Sequence, residues 1–122
     1  IVKLAECVAQ FHPELVVLKD MAGYERGREP GEVPALLRSA LMMQGVSDDA
    51  VLTRLDEREA VRHILQWAQP GDVLALPVHG LPEREAVHAL LDAMSAANWQ
   101  AGLAVPEWPP EYEPEAVGNG CA

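Results

Sequence analysis

The stretch Val51–Gly80, VLTRLDEREAVRHILQWAQPGDVLALPVHG, packs several kinds of structural signal into one run. VLTRL (Val51–Leu55) reads as a short strand. Asp56 follows at once as a helix N-cap, with Glu59 three residues on, the spacing of a capping box. Ala60, Val61, Ile64, Leu65 and Ala68 then recur at helical spacing. QPGD marks a turn. VLALPV (Val73–Val78) reads as another strand, the most apolar of all, closed by His79 and Gly80. Strand, helix and strand joined by short connections predict a βαβ arrangement.

The same alternation extends in both directions. LVVLK (Leu15–Lys19) is a continuous apolar run and reads as a buried strand. After the loop KDMAGYERGREPGE, Val33, Leu36, Leu37, Ala40 and Leu41 mark one face of an amphipathic helix. Pro34 falls in its first turn, where no intrahelical hydrogen bond is lost, and Gly45 is placed to stop it. Further downstream, LPEREAVHALLDAMSAANW predicts a helix with Pro82 and two glutamates in its first turn. Its apolar face is Ala86, Val87, Leu90, Leu91 and Met94. AGLAV allows an edge strand. PEWPPEYEPEAVGNGCA is rich in proline and glutamate and reads as extended or disordered. Near the start, Leu4, Ala5, Val8 and Phe11 have helical spacing, but no capping residue precedes them. That predicts a chain opening inside an element, as a piece of a longer protein. The fold class expected is α/β: a Rossmann-like, three-layer domain with a mainly parallel sheet, N-terminally truncated. It is expected over residues 1–105, with the tail over 106–122.

The whole chain has 122 residues and a formal net charge of −10. One domain with a single core is expected. Acidity disfavours nucleic acid and anionic membrane surfaces as partners, since phosphate binding needs a basic stripe. No apolar run approaches the ~20 residues of a membrane span, and no secretory leader opens the sequence. Cys7 and Cys121 have no metal-ligand partner at short spacing. Both read as structural or incidental, and a reducing cytoplasm is expected. There is no G-x-x-x-x-G-K-[ST] phosphate loop, no G-x-G-x-x-G fingerprint, no nucleophile elbow and no zinc spacing.

In open α/β sheets, ligands bind beyond the carboxyl ends of the strands. That rule selects Lys19, Asp20 and the loop to Pro30, then Asp56 and Glu57, then His79 and Gly80. In the loop, Arg26 and Arg28 offer guanidinium forks that suit carboxylate or phosphate, and Gly23, Gly27 and Gly31 let the backbone turn sharply. The same loop also reads as a solvated surface segment whose arginines pair with Glu25 and Glu29. His79 reads either as a substrate-orienting or proton-transfer group or as a histidine satisfied at a strand end. His12, His63 and His88 read as structural or surface residues, and Asp56 and Glu59 as caps.

The order LVVLKD, GREPGEVPALLR, DEREAVRHIL and QPGDVLALPVHG resembles the C-terminal domain of the Mur ligase superfamily, in its cyanophycin synthetase-like branch. The resemblance covers residues 1–80 and extends toward Trp99. It implies an ATP-dependent carboxylate–amine ligase working through an acyl phosphate. ATP and Mg would be bound mainly by other domains, and the segment alone would be inactive. The family's Asp-Asn-Pro-Arg segment corresponds to DMAGYERGREP. The resemblance thus implies substrate contacts for Asp20, for Arg26 or Arg28, for Glu29, and, through LPVHG, for His79. The Asn-Pro is missing, the loop is longer, and Gly80 stands where the family has glutamate. These departures argue against a diaminopimelate-type substrate. The implied partners are an amino acid or peptide substrate and the remaining ligase domains, with room for a homo-oligomer. A non-catalytic ligase-like module and a lobe of a UDP-muramoyl-peptide ligase are the alternatives.

Overall fold

The computed structural model of the chain describes residues 1–20 and 27–112. These residues form an α/β structure with four α-helices and a two-stranded parallel sheet, compatible with a Rossmann-like fold. The chain divides into two compact units, the first from Ile1 to Ile64 and the second beginning at Leu65.

The first unit contains α1 (Val2–Gln10), β1 (Val16–Leu18), α2 (Glu32–Met43), β2 (Val51–Thr53) and the start of α3 (Glu57–Trp67). Its two strands are parallel, with Val16 opposite Val51, Val17 opposite Leu52 and Leu18 opposite Thr53. The pairing continues past the strand ends. Arg54 N–H donates to Leu18 O at 2.8 Å, and Asp20 N–H donates to Leu55 O at 2.9 Å. Both strands therefore stay together up to the residues expected to bear function.

Ala5, Leu18, Leu41 and Val51 form the buried core of this unit, flanked by half-buried Val8, Val16, Leu37, Ala40 and Val46. One residue comes from each of the two helices and two strands, so the core holds α1 and α2 on the sheet. Two expected helix faces rotate. In α1, Ala5 is buried, but Leu4 and Phe11 are exposed. In α2, Pro34 is buried and Leu36 is exposed. A helix advances 100° per residue, which sets Pro34 about 20° from Leu41 and Leu36 about 140° away. The first-turn proline thus supplies apolar surface where the leucine cannot. Gly45 ends the helix in a left-handed conformation (φ 91°), donating to Met42 O at 3.0 Å. Arg38 on α2 donates to Val51 O and to Asp48 Oδ1, each at 2.8 Å, fastening the helix to the entry of β2.

The helix signals within Val51–Gly80 hold. Asp56 Oδ1 accepts from the N–H groups of Arg58 (2.9 Å) and Glu59 (3.0 Å), an N-cap on α3. Ala60, Val61, Leu65 and Ala68 are buried, and Ile64 is half-buried. The QPGD turn closes twice, by Asp72 N–H to Gln69 O (3.0 Å) and by Gln69 N–H to Asp72 Oδ2 (2.9 Å).

The expected third strand does not form. Val73–Val78 joins no ladder. Its exposure does alternate, with Leu74, Leu76 and Val78 half-buried and Val73, Ala75 and Pro77 exposed. This is the period of a strand without a partner. Two local features oppose pairing. Pro77 has no N–H to give, and Val78 N–H is turned back onto Leu76 O at 2.9 Å.

Beyond it, α4 (Leu81–Ala96) starts from Gly80 with Pro82 in its first turn, and buries Ala86, Val87, Leu90 and Met94 as expected. AGLAV is a turn and not an edge strand. Gly102 takes φ 100°, and the Trp99 indole N–H donates to Ala104 O at 3.1 Å, which folds the segment back on itself. In the proline-rich stretch that follows, Trp108 is buried and Pro110–Tyr112 form a 3-10 turn in contact with α4. Residues 113–122, including Cys121, lie outside the described residues.

Candidate functional site at the carboxyl edge of the sheet

Past the ends of β1 and β2 the chain gathers several charged groups. Strand alternation points Leu18 into the core and releases Lys19 to the other side. Its Nζ meets Glu57 Oε2 at 2.7 Å. Glu57 is the first residue of α3 and is only 6 % exposed; the Lys19 side chain is 17 % exposed. A carboxylate so far from water is held there by its cationic partner and by the positive end of the helix. The pair ties the exit of β1 to the start of α3.

Asp20 is committed next to it. Its Oδ2 accepts the Gly31 N–H at 2.7 Å, across eleven positions of sequence. Gly31 is the N-cap of α2 and takes φ 84°, which lets its N–H turn back toward the strand end. One carboxylate thus closes the whole loop at its base. The bond brings the start of α2 back to the exit of β1.

Of the loop residues singled out in the sequence, Arg26 lies outside the described residues, as do Gly23 and Glu25. Arg28 and Glu29 are exposed. No described residue forms an ion pair with Arg28, and Glu29 does not pair with it. The Glu29 carbonyl accepts from Glu32 N–H at 3.0 Å, beginning the turn into α2. Asp20, Arg28 and Glu29 therefore belong to one loop of the first unit. His79 belongs to the second unit, exposed, beside the N-cap of α4. Sequence reasoning placed Lys19 and Glu57 at this edge but did not foresee their pairing. The signal was a lysine directly after a buried strand and a glutamate in the first turn of the next helix.

Among the described residues no cluster of three or more His, Cys, Asp or Glu could hold a metal ion. No described helix is long and apolar enough to cross a membrane. No model of a known protein family matches the chain, and no curated protein or solved structure matches it.

Proposed function

We propose that the chain is the C-terminal, substrate-positioning lobe of an ATP-dependent carboxylate–amine ligase of cyanophycin synthetase-like type. In this reading it is a cytoplasmic, Rossmann-like three-layer domain with a mainly parallel sheet. Arg28, exposed on the loop that Asp20 closes and without an ion-pair partner among the described residues, carries the reading. An exposed guanidinium on this loop, three residues before the Asp20–Gly31 bond, offers a fork to the carboxylate of an amino acid or peptide. Arg26 and Glu29 complete the proposed substrate contacts on this loop, and His79 is a separate candidate contact in the second unit. Asp20 acts through the loop by fixing where it starts and ends.

The described residues do not fit ATP and Mg. The one lysine at the edge is spent on Glu57, and no acidic cluster is present to hold the ion. Nucleotide chemistry would be supplied from other domains, and the chain alone should release no ADP from ATP. The test of the site is a titration with N-acetylaspartate, followed by the amide resonances of Gly27, Arg28, Glu29 and Gly31. Binding should shift these signals, and Arg28→Ala should weaken it about fivefold or more, the loss expected for a charge-assisted contact that is partly solvated. Equal binding by that variant would remove Arg28 from the substrate site.

A second reading, a non-catalytic ligase-like module, is favoured by a different observation. Lys19 and Asp20, the two residues that follow β1, are engaged in holding the fold together. Failure of N-acetylaspartate to shift any loop amide would favour it.

A further inference from the structure

The opposite end of the first unit has the reverse character. An open depression of about 500 Å³ is lined by Glu6, Ala9, Gln10, His12 and Gln44. It continues into a second of about 270 Å³, with which it shares Ala9, His12 and Gln44. Pro13, just ahead of β1, and Ala50, just ahead of β2, line the second part. The groove therefore sits at the amino edge of the parallel strands, away from the carboxyl-edge site.

Three observations give it a charge preference. First, α1 and α2 both end here, since Gln10 closes α1 and Gln44 caps α2. Each helix C-terminus carries about half a negative charge, and neither has a basic residue in its last turn to offset it. Second, Glu6 adds a full carboxylate, and it makes no ion pair with any described residue. Third, the side chains of Gln10, His12 and Gln44 make no hydrogen bond with described residues, so their polar atoms are available to a ligand. His12 is held at φ 50°, a left-handed conformation uncommon outside glycine, where the chain leaves α1. With one carboxylate and one imidazole in its lining, the groove offers fewer ligands than the three or four a metal ion takes from protein, which favours an organic cation. Ala9, Pro13, Val46 and Ala50, all half-buried, supply the apolar part of the lining.

We propose that this groove binds a small alkylammonium ligand. The ammonium group sits against Glu6 and the helix ends, and the alkyl stem lies along Ala9, Pro13 and Val46. Glu6 supplies the charge, Gln44 and His12 supply acceptors, and the two helix termini supply a field that no basic residue in either last turn offsets.

The experiment is a titration of the chain with n-butylammonium chloride at fixed ionic strength, followed by amide resonances, with n-butanol as the uncharged probe. Saturable shifts are expected at Glu6, Gln10, His12 and Gln44, and not with n-butanol. Glu6→Gln, at an exposed position that the fold does not need, should weaken binding about two- to fivefold, the range of a partly solvated charge contact. Glu83→Gln on α4 should leave it unchanged. The rival is diffuse attraction of a cation to an acidic protein. Shifts spread over Glu59, Glu83 and Glu85 would overturn the proposal. So would equal shifts with n-butanol, or unchanged affinity in Glu6→Gln.

Discussion

VLTRL and VLALPV invite comparison. Both are apolar runs of similar length, and both lead to a helix with an acidic first turn, Glu57 and Glu59 in one and Glu83 in the other. The second is the more apolar, yet only the first forms a strand. Val51 is 1 % exposed, and Val73, the corresponding first residue, is 96 % exposed. The difference is in the backbone. β2 has β1 beside it, carbonyls and N–H groups in register, and an arginine fastening its first carbonyl. VLALPV has a proline in place of a donor and a local turn that consumes the Leu76 carbonyl. Hydrophobicity says that a segment prefers burial; a ladder of hydrogen bonds needs a partner with matching groups.

The comparison can be broken most directly at the leucines. Leu41, buried beneath β1 and β2 in the first core, should cost about 3 kcal/mol when truncated to alanine, measured by urea unfolding. Half-buried Leu76 should cost about 1 kcal/mol by the same change. Equal losses would mean that VLALPV is a core strand in solution. Next comes the carboxyl edge. Glu57→Ala strands the mostly buried Lys19 ammonium and should cost about 2–3 kcal/mol, with part of the loss recovered when Lys19→Met is added. A loss under about 0.5 kcal/mol would show that the pair does not hold the β1 exit to α3. The finest test uses one substitution twice. Val51→Thr buries a hydroxyl in the core and should cost about 1–2 kcal/mol, whereas Val73→Thr at an exposed site should change stability by less than about 0.5 kcal/mol. Matching values would erase the distinction between the two runs.

The candidate site was partly legible. Asp20, Arg28 and Glu29 were singled out because loops after parallel strands tend to carry ligands, and these three do share a loop at the carboxyl edge. Sequence could not show that Asp20 would spend its carboxylate on Gly31, a partner eleven residues away whose approach depends on a left-handed backbone. Nor did it draw attention to Glu6 and His12. Their significance comes from two helices ending at the same place, which no spacing along the chain encodes.

By itself the sequence determined local features: the four helices of the described residues, the Asp56 cap, the QPGD turn and the stop at Gly45. Each depends on neighbours within a few residues, through backbone propensity, capping and period. Only the tertiary structure decided which apolar run would be a strand and which face of α1 and α2 would be buried. It also decided which charged groups would be consumed in pairing. Those outcomes depend on groups distant in sequence meeting with compatible donors, acceptors and volumes, and a linear pattern holds no record of that meeting.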